Sequence, residues 1–336
     1  MICAQQPRTR LVHLPTPLEA APRLSDALGV DLWIKREDLA GLCVGGNKSR
    51  LLEFVLGSLR TTGVDTLIAH AARQSNKLRD IAAAAARCGM QAVLLIPADD
   101  EADHEAPQGN RLLFDILGAD VRVVPAGLDH GAVLALQEDV RAELAARGRR
   151  PAILDRALDY GVDATIAYVD AAEELVGQFA ALGGAPHSVF IAVGAGMTVA
   201  GLALGLKHLG APTQVVGVCV AGTAADLDAT IRHHAARAAE RLGIATQLEA
   251  GDVVLVDDYA ATGYGVLTPA LTAVIHRFAR EHGVVLDPVY NAKVALALTK
   301  RAAVGQVPTG AKVVMFNTGG TPAIYQYAAG LAGTLE

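Results

Sequence analysis

The feature that most constrains this chain is a nearly unbroken alternation of short β-branched, apolar runs with longer segments of helical period. The runs Leu32–Lys35, Thr66–Ala69, Ala92–Ile96, Val121–Val124, Val189–Val193, Val215–Val220, Val253–Val256 and Val313–Phe316 read as strands. Between them lie helical patterns over Asn47–Leu59, Asn76–Arg87, Asp129–Arg147, Asp163–Ala181, Thr198–Leu209, Asp226–Arg241, Pro269–Glu281 and Ala292–Ala303. Apolar strands that alternate with crossover helices form parallel sheets covered on both faces, so the fold class is α/β. Ligands in such folds gather at the carboxyl ends of the strands, where loops lead into helix N-termini. The 336 residues can form two domains, and Gly183–Pro186 is one candidate joint.

Charge and composition then exclude several functions. Lys and Arg number 29 against 35 Asp and Glu, a net −6 without long runs of either sign, so no electrostatic binder of nucleic acid is expected. Ser188–Leu206 is uncharged for 19 residues, but Gly194 and Gly196 break it into strand, turn and helix rather than a membrane span. Met1–Thr16 has no apolar stretch of signal-peptide length. The 4 cysteines, Cys3, Cys43, Cys88 and Cys219, lack metal spacing and read as reduced thiols of a cytoplasmic protein. His233 and His234 read as solvated side chains of a polar helix, Cys43 as a small buried residue, and no metal site is expected.

Three glycine turns carry the chemical signal. Gly45-Gly46-Asn47-Lys48 opens a helix whose Leu51, Leu52, Val55 and Leu56 share a face. A helix N-terminus favours anions, so a lysine there is out of place unless that end holds a phosphate while the amine attacks a carbonyl. The alternative is a solvated lysine after a turn. Gly194-Ala195-Gly196-Met197-Thr198 follows the strand Val189–Val193 and presents backbone N–H groups to an anion, or forms a tight structural turn. It is not a dinucleotide fingerprint, since Val199 stands where a third glycine is needed. Asn317-Thr318-Gly319-Gly320-Thr321-Pro322 closes the last strand, with Pro322 in the first turn of a final helix and Thr318 a cap or a hydrogen-bond partner for a cofactor ring.

As an ordered set these segments resemble the 1-aminocyclopropane-1-carboxylate deaminase and D-cysteine desulfhydrase family. The matching residues are Ile34-Lys35-Arg36-Glu37-Asp38, Gly45-Gly46-Asn47-Lys48-Ser49-Arg50-Leu51-Leu52-Glu53-Phe54, Gln74-Ser75-Asn76, Tyr259, Gly263-Tyr264-Gly265, Leu286-Asp287-Pro288-Val289-Tyr290 and Thr318-Gly319-Gly320-Thr321-Pro322. They run from about Leu14 to Tyr327. The resemblance implies a tryptophan-synthase-β-like (fold type II) enzyme dependent on pyridoxal 5'-phosphate, with two three-layer α/β domains and mostly parallel sheets. It implies a large cofactor-binding domain of residues 1–53 plus 166–336, a small domain of 54–165, and a homodimer. By position, Lys48 is bonded to the cofactor, Asn47 and Asn76 contact it, and Gly194, Ala195, Gly196, Met197 and Thr198 hold its phosphate. Ser75 and its neighbours take the substrate carboxylate, Tyr264 and Tyr290 line the substrate side, and Asn291 and Thr318 face the pyridine ring.

The chain also departs from the family's pattern. Where members carry Gly-Gly-Ile before Gln-Ser-Asn and His after it, this chain has Ala71-Ala72-Arg73 and Lys77. The two added cations imply a substrate with a second anionic group paired with Arg73, within a substrate set of Arg73, Gln74, Ser75, Asn76 and Lys77. The alternative is that Arg73 and Lys77 point to solvent and that Ser75 or Asn76 is a helix cap. Ala195 replaces a hydroxyl residue and Met197 a glycine in the phosphate turn, which leaves the backbone donors in place. Asn291 stands where the deaminases have glutamate and the desulfhydrases threonine, which favours β-elimination over cyclopropane ring opening.

The expected activity is therefore a pyridoxal-phosphate carbon–sulfur lyase acting on a small β-substituted amino acid. It gives a 2-oxo acid and ammonia in the manner of D-cysteine desulfhydrase, or of a cysteate sulfo-lyase. Alternatives on the same residues are a β-replacement transferase, a 1-aminocyclopropane-1-carboxylate deaminase, and a cofactor-binding protein without turnover. A nicotinamide dehydrogenase is disfavoured by the missing fingerprint.

Overall fold

The computed structural model describes residues 2–99, 106–260 and 263–332. In chain order the elements are β1 Leu18–Ala20, α1 Pro22–Leu28, β2 Asp31–Arg36, α2 Asn47–Arg60, β3 Thr66–His70, α3 Asn76–Cys88, β4 Gln91–Pro97, α4 Gly109–Ile116, β5 Asp120–Val124, α5 His130–Ala146, β6 Pro151–Ile153 and α6 Asp159–Ala181. There follow β7 Ser188–Val193, α7 Met197–His208, β8 Gln214–Cys219, α8 Ala224–Leu242, β9 Val253–Val256, α9 Pro269–His282, α10 Asn291–Ala303, β10 Lys312–Asn317, a 3₁₀ segment Thr321–Tyr327 and α11 Ala328–Ala332.

Two sheets result. The larger has the order β1-β2-β10-β7-β8-β9 and is parallel except for β1, which pairs antiparallel with β2. The smaller, β5-β4-β3-β6, is wholly parallel. Each is covered on both faces, and the strand alternation shows why. Val189, Ile191 and Val193 of β7 pack with α6, α7 and α8, whereas Phe190 and Ala192 pack with residues of α1, α9 and α10. In the small sheet Leu67 and Ala69 join the core of α2 and α3, and Ile68 turns to Val140 and Leu144 of α5. A strand sandwiched in this way must be apolar at every position, which is how β7 and β4 read in the sequence.

A buried charge network joins α2 and α6 to the segment after β2. The bounds expected for the smaller domain, 53/54 and 165/166, both fall inside helices, α2 and α6. The Arg50 guanidinium grips Glu37 with two hydrogen bonds, Nε to Oε2 at 2.9 Å and Nη2 to Oε1 at 2.8 Å, and reaches Glu174 of α6 at 3.0 Å. Tyr168 donates to Glu37 at 2.9 Å. Burial alone would raise the Glu37 carboxyl, but Arg50 outweighs it and holds the group down at about 2.

The expected strands and helices are all present, with shifts at their ends; the predicted start of α6 at Asp163 falls four residues inside a helix that begins at Asp159. Ser188–Leu206 is strand, turn and helix, and no helix among the described residues is long and apolar enough to cross a membrane. Two readings are corrected. His234 is buried at 4% exposure rather than solvated, packed behind Gly196, and burial with His233 and Arg237 nearby takes its imidazole down to about 4. Cys43 is exposed rather than buried, on a left-handed φ of 61°. Five elements were unread: β1 and β6, of three residues each, and the helices α1, α4 and α11.

Candidate active site

The parallel strands of the large sheet end in two of the three glycine turns, and β3 and β6 of the small sheet end at the facing wall. Between them lies a cavity of about 380 Å³. From the large-sheet side it is lined by Asn47, Lys48, Gly194 to Thr198, Thr318 and the two tyrosines Tyr264 and Tyr290. Its other wall includes His70, Ser75, Asn76, Lys77, His130 and Arg156.

Lys48 sits in the first turn of α2, held there by its turn. Gly45 has φ 72° and its absent side chain leaves room for the Asp38 carbonyl, so only glycine fits. Gly46 N–H donates to Glu37 O and Asn47 N–H to Thr318 O, both at 3.0 Å, which fixes the start of the helix against the last glycine turn. The Arg79 guanidinium donates to Gly45 O at 2.7 Å and to the Oδ1 atoms of Asn76 and Asn110, and pairs with Asp80 at 2.8 Å. The Lys48 amine has no hydrogen-bond partner among these groups. Burial lowers it to about 8, opposed by Asp80 and reinforced by Lys77 and Arg79. An amine that burial brings down to about 8 gives up its proton far more readily than an ordinary lysine, which suits nucleophilic and proton-transfer chemistry.

The turn after β7 is an anion cradle. Gly196 is the N-cap of α7 at φ 85°, and neither a side-chain cap nor an acidic residue occupies the first turn. The N–H groups of Met197, Thr198 and Val199 are therefore free to meet an anion. Asn47 Nδ2 donates to Thr198 Oγ1 at 3.2 Å, joining this turn to the lysine's helix.

Across the cavity Ser75 caps α3, its Oγ accepting from Leu78 N–H at 3.3 Å. Among the described residues no side chain caps the N–H groups of Asn76 and Lys77 in that first turn. Asn76 is oriented by two donors on its Oδ1, from Arg79 and Asn110, each at 2.8 Å, which leaves its Nδ2 free. The hydroxyls of Tyr264 and Tyr290 lie 2.6 Å apart, with the rings edge to face at 6.0 Å, and burial raises both phenols.

Not every residue expected at the site reaches it. Gln74 accepts from Asn110 N–H at 2.9 Å and donates to Gln108 O at 3.1 Å, so it fastens the start of α4 and does not line the cavity. Arg73 is half-buried and does not line it either; Lys77, one helical turn on, does. Asn291 lies one layer behind the wall. Its Nδ2 donates to Asp287 Oδ1 and Gly319 O at 2.6 Å each, and its Oδ1 accepts from Thr318 N–H at 2.9 Å and Oγ1 at 3.1 Å. That leaves no donor for a ligand, and Thr318 forms the surface instead. The sequence reading missed His70, His130, Asp155, Arg156, Tyr160 and the Arg79–Asp80 pair. Among these only Arg79 and Asp80 carried a usable signal, being one turn after the Ser75-Asn76 cap on the same helix. No cluster of three or more His, Cys, Asp and Glu side chains able to hold a metal occurs among the described residues.

Comparison with known proteins identifies the type of site. The chain is 35% identical over 323 residues to a D-cysteine desulfhydrase of Salmonella choleraesuis and 36% identical over 326 residues to one of Salmonella typhi, in each case across 96% of both chains. Its fold superposes on a crystal structure described as an ACC deaminase homologue, with a TM-score of 0.88, 31% identity and coverage of 99% and 98% of the two chains. A threonine deaminase of Solanum lycopersicum shares the fold at a TM-score of 0.65 and 22% identity, over 96% of this chain and 84% of that one. Residues 9–319 match the family model described as pyridoxal-phosphate dependent enzyme. With a lowered lysine amine, an open anion cradle and that match over most of its length, the chain belongs to the pyridoxal-phosphate dependent enzyme family, in its fold type II form.

Proposed function

We propose that the protein is a cytoplasmic, homodimeric lyase that removes a β-substituent from a small amino acid by β-elimination. It breaks a carbon–sulfur bond and releases a 2-oxo acid and ammonia, as the name D-cysteine desulfhydrase describes for its relatives. The observation that carries this reading is the Lys48 amine, lowered to about 8 and without a hydrogen-bond partner among the described residues, in the same cavity as the N–H groups of α7. The residues present fit the cofactor. Its phosphate matches the α7 cradle, which no side chain fills, and Asn76 Nδ2 and the Thr318 hydroxyl supply polar contacts for a ring between Lys48 and the small-sheet wall. When bound, pyridoxal phosphate supplies an electron sink for the charge left when the α-proton is removed.

The chain's own groups do the rest. Ser75 and the N–H groups of Asn76 and Lys77 hold the α-carboxylate at the start of α3. Lys48, with an amine at about 8, takes the α-proton on Nζ without a large energetic penalty at neutral pH. Tyr264 and Tyr290, both kept protonated, line the substrate side. Asn291 fixes Thr318 with a neutral amide, and the Asp287 carboxylate behind it is occupied by the N–H groups of Val289, Tyr290 and Asn291 and by the Asn291 amide. The ring side thus presents a hydroxyl rather than a carboxylate, which suits a reaction in which a departing group relieves the charge. Residues 54–165 form the smaller domain in this reading, with 1–53 and 166–336 the larger. Four free thiols support the cytoplasmic assignment.

The test is product analysis with purified, cofactor-loaded protein. D-cysteine and both enantiomers of 3-chloroalanine are supplied, and 2-oxo acid and ammonia are measured. Pyruvate and ammonia in equal amounts from at least one of them is the expected result. No product from any of them, with 2-oxobutyrate formed from 1-aminocyclopropane-1-carboxylate, overturns it in favour of ring opening.

A further inference from the structure

The start of α10 holds a buried cation that the elimination chemistry does not use. Lys293 is the third residue of that helix and is fully buried. A helix N-terminus disfavours a cation, and nothing acidic stands in this first turn, so the position calls for a local reason. The hydrogen bonds of its Nζ supply one. It donates to Tyr259 O at 2.9 Å, to Gly263 O at 3.0 Å and to Val220 O at 3.3 Å. Val220 follows β8, and Tyr259 and Gly263 follow β9. Three carbonyl acceptors select the ammonium, the only form with three protons to donate. Burial pushes the amine down and Asp287 opposes that. Among the described residues it makes no ion pair, so backbone dipoles from two loops compensate the charge.

One of those carbonyls belongs to the turn that carries Tyr264. Gly263 and Gly265, on either side of it, have φ of 94° and 74°, so the backbone bends sharply around this residue. Tyr264 itself is 52% exposed, and the core does not fix its ring. The turn is held instead through its backbone: Gly263 O by Lys293, and Gly265 O by the Tyr327 hydroxyl at 2.7 Å. Tyr290, whose hydroxyl meets that of Tyr264, is the N-cap of α10. A single helix start thus holds one tyrosine directly and the other through Lys293.

We propose that Lys293 is a positioning residue, an internal ammonium that ties the Gly263–Gly265 turn to α10 and so sets Tyr264 against Tyr290 at the mouth of the cavity. The inference rests on the assignment of these two tyrosines to the substrate side. An apolar side chain at this position fills the space but leaves three buried carbonyls without a donor, and the turn is then free to move.

The test reads the tyrosines directly. The cofactor-loaded protein is labelled with 3-fluorotyrosine at its 7 tyrosines, and Tyr264→Phe, Tyr290→Phe and Tyr168→Phe assign three fluorine signals. Lys293→Met is expected to shift or broaden the signals of Tyr264 and Tyr290 and to leave that of Tyr168, in α6, in place. Unmoved signals overturn the proposal, as do shifts spread equally over all three. Where Lys293→Met does not fold, Lys293→Gln, which retains a neutral donor, takes its place. Failure of both to fold assigns the lysine to folding and also overturns the proposal. With 3-chloroalanine as substrate, Lys293→Met is expected to raise KM by about tenfold while kcat stays within about twofold, the pattern of a lost binding contact. In a Tyr264→Ala background the same substitution is expected to add nothing to KM, and a further tenfold rise there contradicts action through Tyr264. Absence of product from the wild-type enzyme counts against β-elimination alone, and the fluorine signals still decide the role of Lys293.

Discussion

At the scale of single residues, the site depends on amines and amides whose neighbours have been removed or used up. Lys48 is the clearest case. Its amine falls from an ordinary 10.5 to about 8 because burial penalises the charged form more than Asp80 favours it. Between those two values the unfolded chain holds a proton that the folded apoprotein has lost, so stability rises with pH across the window from about 8 to 10.5. Replacing Lys48 by Met removes the titration. The Met variant is expected to be more stable than the wild-type apoprotein by a constant margin below about pH 8, a margin that shrinks as the pH approaches 10.5. Urea unfolding of both proteins at several pH values checks this, and a margin independent of pH contradicts it. Asn291 shows the opposite arrangement. Its amide is spent on Asp287, Gly319 and Thr318, so it shapes the site without touching a ligand. The resemblance placed Asn291 near the ring because it stands where the family's deaminases carry a glutamate. One residue along a helix start rotates a side chain from the cavity wall into the layer behind it, and adjacency in sequence does not carry that information. The same geometry misdirected the reading of Arg73, which lies in the turn before α3, whereas Lys77 lies on the helix and faces the cavity.

At the scale of elements, close helix contact fixes where the anion cradle stands. A Cβ on Gly201 of α7 would run into the Thr165 carbonyl of α6, and one on Gly205 would meet Ala172. The two helices approach backbone to backbone, and α7 begins at the cradle turn. Gly201→Ala is expected to cost about 1–3 kcal/mol of stability by overpacking and to weaken cofactor binding as α7 shifts. Gly177, on α6 with open space at its Cβ position, provides the contrast: Gly177→Ala is expected to stabilise by about 0.5–1 kcal/mol through helix propensity alone. Denaturant midpoints of the two variants decide the matter, and equal shifts of the same sign contradict the packing account. Elements were legible where periodicity had room to act. The six-residue β7 and the 17-residue α5 stand out, whereas β1 and β6, three residues each, are too short to show alternation. Helix α4 begins on a glycine with φ 57° after Gln108 and lacks a capping side chain, so nothing local announces it; Gln74, from a distant loop, holds its start.

At the scale of the whole molecule, two sheets of parallel strands turn their carboxyl ends toward one cavity. The large sheet contributes the lysine turn, the anion cradle and Thr318; the small sheet and α3 contribute the donors for a carboxylate and the cationic wall. This division was readable in outline because the lysine turn and two glycine turns at strand ends occur together in one chain. The small-sheet wall was not, since His70, His130, Asp155 and Arg156 are scattered over 87 positions and meet only through the crossovers of β3, α5 and β6. The central claim is that the protein holds pyridoxal phosphate on Lys48 and uses that amine in catalysis. The most direct measurement is the visible absorption spectrum of the purified protein before and after borohydride reduction, with mass mapping of the reduced product. A visible band lost on reduction, with one pyridoxyl group on the peptide containing Lys48, is the predicted result. A protein that takes up no added cofactor, or one labelled at a lysine other than Lys48, contradicts it.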